Sequence, residues 1–130
     1  MIDHVTLLVT DYDQAKRTYL KALEPLGYAL VMELTPKEIP GLPGRFAGLG
    51  VHGKPDLWLR ESRGPVSPTH VAIAAKTRAQ VDAFHAAALE VGMTDNGAPG
   101  LRPDYHANYY GAFVLDGDGY NLEAVCHVPA

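Results

Sequence analysis

The two halves of the chain repeat one pattern, and this repeat constrains the fold more than any other feature. His4 and His70 each stand inside a short apolar run rich in β-branched residues, 66 positions apart (from 4 to 70). Such runs predict β-strands. The agreement continues through the following helices, so it extends well beyond one pair of residues.

An amphipathic helix is predicted after each of these strands. Asp11 and Thr77 are suitable N-cap residues, and each has a glutamine three residues later, which is the capping-box spacing. Apolar residues then recur at helical spacing, over 12–26 in the first half and after Thr77 in the second. Gly27 and Gly92 follow as stop signals. The same N-cap, apolar helix face and terminating glycine thus occur in both halves of the chain.

Three further strands are predicted in each half from β-rich runs. They span 28–34, 45–51, 56–61, 93–95, 109–115 and 120–126. Proline and glycine predict loops at 36–44 and 96–103, and a linker at 62–68.

The order of these elements predicts an α+β protein made of two βαβββ modules. We expect a single domain over 1–130, with modules at about 1–62 and 68–130. A four-stranded sheet with one helix leaves its second face uncovered. Two such sheets facing each other would enclose a cup suited to a small molecule.

Composition excludes several classes of function. The chain has 47% hydrophobic and 20% charged residues and a formal net charge of -4, which is typical of a globular domain without a basic surface for nucleic acid. No apolar stretch approaches the roughly 20 residues of a membrane helix, and no signal peptide is expected at the N-terminus. The single cysteine, Cys126, cannot form an intrachain disulfide, so a cytoplasmic location is predicted.

Three polar residues stand in apolar strands. Glu123 lies between Leu122 and Ala124, where a carboxylate is costly unless it is paired, protonated or bound to a cation. His4 and His70 lie in similar surroundings, where a histidine alone is most simply a core residue bonded to the backbone. Taken together, the three side chains suggest a shared metal ion.

The whole pattern resembles the vicinal oxygen chelate superfamily, which includes glyoxalase I, extradiol dioxygenases, fosfomycin-resistance thiol transferases and bleomycin-resistance proteins. Residues 3–9, 69–73 and 110–125 carry the resemblance. It implies two βαβββ modules forming a half-open barrel, commonly in a homodimer. Family metal ligands come from the first and last strands of each half.

Those family positions correspond here to His4, His70 and Glu123, with a fourth position predicted at Leu59 by matching Gly53 to Gly117. Leucine cannot bind a metal, so the resemblance implies three protein ligands. Two imidazoles and one carboxylate suit a divalent ion with open positions, and Fe, Mn, Zn, Ni and Co all remain possible.

The resemblance implies an enzyme that chelates a small substrate through vicinal oxygens, with lyase, isomerase or dioxygenase chemistry. The alternative is a metal-free, bleomycin-resistance-like protein that binds a small molecule in the cup. A partner-dependent regulatory module is a weaker third hypothesis. No nucleic acid or membrane partner is expected.

Residues 105–110 form a polar, aromatic segment before the last hairpin. His106 and Tyr109 are candidate catalytic residues for proton transfer. Tyr110 and Arg102 are candidate substrate-binding residues, Arg102 through a carboxylate or phosphate. For each, the simpler interpretation is a polar loop at the rim of the fold.

Overall fold

The computed structural model describes residues 1–130 and confirms the α+β fold with two βαβββ modules. The first module contains β1 Val5–Val9, α1 Tyr12–Leu23, a 3-10 helix Glu24–Leu26, β2 Ala29–Leu34, β3 Phe46–Val51 and β4 Lys54–Glu61. The second contains β5 His70–Ala74, α2 Arg78–Glu90, β6 Thr94–Leu101, β7 Tyr110–Leu115 and β8 Asn121–Cys126. Neither helix has the length and apolar character needed to cross a membrane.

Each module folds into its own four-stranded sheet. The strand order is β1-β4-β3-β2 in the first sheet and β5-β8-β7-β6 in the second, with the first and last strands of each module paired in parallel. The remaining pairs are antiparallel. The last strand of each module is therefore central, and neither sheet closes into a barrel.

Both predicted helix starts are correct. The Asp11 carboxylate accepts the N–H of Gln14 at 3.1 Å, and the Thr77 hydroxyl accepts the N–H of Gln80 at 3.1 Å. The first helix is shorter than predicted, because α1 ends at Leu23 and the chain continues as a 3-10 turn containing Pro25. Proline has no N–H to give to the α-helical ladder.

The strand predicted at 93–95 is present but longer, and the loop predicted at 96–103 was wrong. A continuous strand, β6, runs from Thr94 to Leu101 through residues expected to form a loop. Because β6 is the outermost strand of the second sheet, it tolerates proline. Its register shifts on both sides of Gly97, which has a φ of 154° and lies against the ring of Phe113.

Strand alternation gives each sheet a helix face and an open face. In β4, Leu57 and Leu59 belong to the buried core with residues of α1, so Trp58 and Arg60 project from the opposite, open face. The open face of the first sheet exposes apolar groups, including Leu8 at 38%. The buried core itself includes residues of both modules.

The two modules are held together on their helix side. Helix α1 packs on α2, and the 3-10 helix also packs on α2, whereas no strand of one sheet packs extensively on a strand of the other. The turn between β7 and β8 reaches back to the first module. There the Asp118 carboxylate accepts the N–H of Thr10 at 3.0 Å, and Tyr19 donates to Asp116.

We refer to Thr10, Tyr19, Asp116 and Asp118 as the interlock. Asp116 also accepts the N–H groups of Asp118 and Tyr120, at 2.9 and 2.8 Å. Burial raises the pKa of Asp116, and burial beside this carboxyl group raises the pKa of the Tyr19 phenol. The interlock fixes how the modules are oriented, with both open faces left uncovered within the chain.

Replacing Tyr19 by phenylalanine should destabilise the fold by about 1–3 kcal/mol, because the partly buried carboxyl group of Asp116 loses a hydrogen-bond donor. Denaturant unfolding would measure the change. Tyr105→Phe is the matched control, since Tyr105 is exposed and its hydroxyl makes no hydrogen bond. Equal stability of the two variants would show that the hydrogen bond from Tyr19 to Asp116 contributes nothing.

Candidate functional site

The candidate site is centred on Glu123, in the middle of the open face of the second sheet. In β8 it stands in register with Ala72 of β5 on one side and Phe113 of β7 on the other. Its side chain is 0% exposed, although no helix or second sheet packs extensively on this face. Burial of a carboxylate on such a face requires specific partners.

Both oxygens of this carboxylate have partners. Nε2 of His70 lies 2.7 Å from Oε1 of Glu123, and the Tyr109 hydroxyl donates to Oε2. A carboxylate only accepts hydrogen bonds, so the His70 tautomer with its proton on Nε2 is the one that bonds to a carboxylate here. The ring of His70 also contacts Phe113, with their centroids 6.1 Å apart.

Gly111 makes room for the contact between Glu123 and Tyr109. A Cβ at position 111 would lie 3.2 Å from Oε2 of Glu123 and 3.1 Å from the Tyr109 ring. Burial and the hydrogen bond to Glu123 raise the pKa of Tyr109 to about 12. The phenol therefore stays protonated at neutral pH and remains a donor to the carboxylate.

The third predicted ligand, His4, lies apart from this cluster. It precedes β1, its side chain is 53% exposed, and its Nδ1 lies 2.7 Å from the carboxylate of Asp3. Within the chain, no three side chains of ligand type are grouped closely enough to hold a metal ion. The structure thus brings His70 and Glu123 together and leaves His4 on the other module.

The chemistry of this pair fits a divalent ion in part. Ligand atoms that are each about 2.1 Å from one ion, in neighbouring positions, lie about 3 Å from each other. The 2.7 Å between Nε2 of His70 and Oε1 of Glu123 is close to that spacing. Two protein ligands form an incomplete site, since catalytic metal sites use three.

The fourth family position belongs to Trp58 and not to Leu59. Thr6 pairs with Trp58 in the first sheet, and Ala72, which is 66 residues beyond Thr6, pairs with Glu123 in the second. Matching Gly53 to Gly117 gave the wrong position because the two turns differ in length. Two residues separate β3 from β4, whereas five residues separate β7 from β8. Tryptophan, like leucine, cannot bind a metal.

Tyr110, His106 and Arg102, the other candidate residues, each have contacts of their own. Tyr110 projects to the helix side, where its hydroxyl donates to Asp82 of α2 at 2.6 Å. His106 is exposed, and its ring packs on His127, which in turn packs on Tyr109. Arg102 lies over the ring of Phe113, 5.4 Å from its centroid.

Sequence reasoning missed Phe113, which is adjacent to Glu123 and contacts both His70 and Arg102. Strand alternation could have identified it. Counting back from the β7–β8 turn in the observed register places Phe113 opposite Glu123.

In metal-free protein, His70→Ala should lower the free energy of unfolding by about 1–3 kcal/mol, because it removes one of two partners of a fully buried carboxylate. His4→Ala is the control and should change little, since this exposed ring bonds only to a neighbouring side chain. Chemical denaturation with a chelator present would compare them. Equal effects would contradict the pairing of His70 with Glu123.

No family model and no curated protein matches the sequence. Solved structures are similar to it. A glyoxalase/bleomycin resistance protein from Albidiferax ferrireducens T118 aligns with a TM-score of 0.74 and 25% identity over 98% of both chains. A glyoxalase I mutant from Zea mays aligns with a TM-score of 0.70 and 26% identity, over 95% of this chain but 45% of that chain.

A glyoxalase/dioxygenase from Nostoc punctiforme has the same fold, with a TM-score of 0.68 and 20% identity over 99% of this chain and 92% of that chain. All three neighbours align with this chain over both of its modules. The chain thus has the fold of the glyoxalase/bleomycin resistance/dioxygenase proteins, the vicinal oxygen chelate superfamily, and is similar to them in structure.

Proposed function

We propose that this protein is a metal-dependent enzyme of the glyoxalase/dioxygenase type, acting on a small molecule with vicinal oxygens. His70 and Glu123 of one chain and His4 of a second copy would hold the divalent ion. The observation that carries the proposal is the fully buried Glu123 carboxylate, paired with an imidazole on an otherwise uncovered sheet face. Such a group is most simply explained as part of a larger site.

A second copy is part of the proposal because the interlock keeps the two open faces of one chain apart. In a homodimer with exchanged modules, the first sheet of each chain would cover the second sheet of the other. Exposed apolar groups on the first sheet, Leu8 at 38% and Met32 at 46%, would then be buried. The maize glyoxalase I chain, about twice as long as this one, is consistent with a unit of four modules.

The donor set defines which ions are suitable. Neutral imidazole and carboxylate suit iron, manganese, zinc, nickel or cobalt, and affinity alone does not select among them. When bound, the ion would supply a Lewis acid for a substrate with two adjacent oxygens. Lyase, isomerase and oxygen-dependent dioxygenase reactions are the classes that this chemistry serves.

The remaining residues of the cluster would position the ligands. Tyr109 stays protonated, because its pKa is raised to about 12, and holds one oxygen of Glu123, leaving Oε1 directed at His70. This is a positioning role, as in other sites where a second partner orients a metal ligand. His106 is kept as a candidate for proton transfer at the rim, two rings away from Glu123.

A metal-free protein that binds a small molecule is the second candidate. One observation favours it: both oxygens of Glu123 already have hydrogen-bond partners without an ion. On this hypothesis, ligand affinity would not respond to chelators and no metal would copurify.

The cytoplasm stays the predicted compartment, because the only cysteine is a buried free thiol.

The proposal predicts a specific pattern when two defective variants are combined. His4→Ala and Glu123→Gln homodimers should each hold almost no metal, because every site lacks one ligand. A heterodimer of the two should regain one ion per dimer. One of its sites contains both defects and the other contains neither. Co-expression with two affinity tags and elemental analysis would measure this.

If the heterodimer holds no metal while wild-type protein holds one ion per chain, the ligands come from one chain and the exchanged arrangement is wrong. Wild-type protein that is metal-free after purification, and stays so after exposure to each candidate ion, would refute the metal-dependent enzyme and support the binding protein.

Replacing Tyr109 by phenylalanine should weaken metal binding by roughly 10- to 100-fold, which is usual when a residue that orients a ligand is lost. Competition with a chromogenic chelator would give the affinity. Tyr105→Phe is the matched control, because its exposed hydroxyl makes no hydrogen bond. Unchanged affinity in Tyr109→Phe would remove the positioning role.

A further inference from the structure

The open face of the first sheet carries an aromatic and cationic surface that the metal site does not use. We call Phe46, Trp58 and Arg60 the aromatic platform. Trp58 and Arg60 alternate with the core residues of β4, and Phe46 stands in register with Arg60 on β3. All three are partly exposed, so they are available to a ligand.

Trp58 lies flat on the sheet because of the glycine beside it. Gly48 is in register with Trp58, and a Cβ at position 48 would come within 2.8 to 3.0 Å of three atoms of the indole. No alanine fits there without displacing the ring. The ring of Phe46 stands edge-on to the indole, with centroids 6.5 Å apart and planes at 74°. One broad aromatic face is thus held rigidly and left uncovered.

Arg60 stands at the end of this platform without an acidic partner. The ion pairs of the chain involve Lys16, Arg45, Lys54 and histidines, and none involves Arg60. Its guanidinium lies over the Phe46 ring, 5.7 Å from the centroid. Nε of Arg60 is buried and has no hydrogen-bond partner. A buried donor without an acceptor is costly, and the protein offers the guanidinium of Arg60 neither a hydrogen bond at this atom nor an ion pair.

The second sheet repeats the same combination on its own open face. Arg102 lies over Phe113, takes part in no ion pair, and donates only to the backbone oxygens of Ala98 and Leu101. Each open face therefore presents an uncompensated guanidinium stacked on a phenylalanine, in a chain whose formal net charge is -4. This local excess of positive charge favours an anion.

We infer that the aromatic platform binds a flat aromatic carboxylate, with its ring stacked on Trp58 and its carboxylate bound to Arg60. Guanidinium presents a planar pair of donors that matches the two oxygens of a carboxylate. A rigid indole face favours a conjugated ring over a saturated one. The inference deepens the proposed function, because it names the substrate class of that same cup, but the platform itself contains none of the proposed metal ligands.

Trp58 is the only tryptophan in the chain, so its indole N–H gives a single, assignable signal in a ¹⁵N–¹H NMR spectrum. The wild-type protein would be titrated with benzoate, 2-naphthoate and anthracene-2-carboxylate, which do not chelate metals through adjacent oxygens. Two matched probes each lack one property. 2-Naphthamide is aromatic but uncharged, and cyclohexanecarboxylate is charged but not aromatic. Metal content would be recorded on the same samples.

At least one aromatic carboxylate should shift the Trp58 signal and bind on the order of tenfold more tightly than the probe lacking charge or aromaticity. Arg60→Gln should remove that preference for the carboxylate over the amide. Trp58→Leu, followed by calorimetry, should weaken aromatic carboxylates by roughly three- to tenfold. Arg17→Gln, which removes the same charge from the exposed side of α1, should bind like wild type.

The inference is overturned if every aromatic carboxylate binds no better than its uncharged or saturated counterpart, or if Arg60→Gln and Trp58→Leu bind as wild type does. This failure is distinct from failure of the proposed function. Loss of selectivity with one ion per chain retained would remove the platform alone, whereas selective binding by metal-free protein would remove the metal site alone.

Discussion

A carboxylate with no exposed surface, on a sheet face that its own chain leaves uncovered, is the constraint on which the site depends. Glu123 can stay buried because His70 and Tyr109 each bind one of its oxygens. Gly111 allows that approach, since any side chain there would meet both the phenol and the carboxylate. The cost of removing a charged group from water is thus offset by two hydrogen bonds and close aromatic packing.

The position of this carboxylate in the fold follows from the topology of the module. The last strand pairs in parallel with the first and is central in its sheet, so Glu123 lies in the middle of the open face. The interlock joins the helix sides of the modules and leaves both open faces outward. The core includes residues of both modules, and in the proposed dimer each open face would form one wall of a cup. This explains how a well-packed fold can present an incomplete site.

The two open faces differ in chemistry although the modules are repeats. The position of Glu123 in one is the position of Trp58 in the other. Phe113 packs beside the carboxylate, whereas Gly48 lies beneath the indole. Duplication therefore supplies one geometry, and substitution at matching positions places a carboxylate in the middle of one face and an indole in the middle of the other. A cup with two unlike walls can hold one end of a small molecule by charge and its body by stacking.

The sequence predicted the modules because its signals there are local. Capping residues, helical stripes and glycine stops act within a few residues, and each predicted helix start is observed. The errors came from features set at longer range. Strand β6 contains a proline and glycines, and they are tolerated there only because β6 is an edge strand.

The assignment of Leu59 in place of Trp58 was wrong by one residue. A shift of one residue along a strand moves a side chain to the other face of the sheet. The difference in turn length was therefore enough to place the fourth family position on the wrong face. The pairing of Glu123 with Tyr109 was equally hidden, because it depends on the space above Gly111 rather than on sequence spacing.

Native mass spectrometry of the freshly purified protein would give the number of chains and of bound ions in one spectrum. If two chains share each ion, we expect a dimer carrying two divalent ions, both of which are lost when Glu123 is replaced by glutamine. A monomer, or a dimer that carries no ion in the presence of any candidate metal, would contradict this expectation.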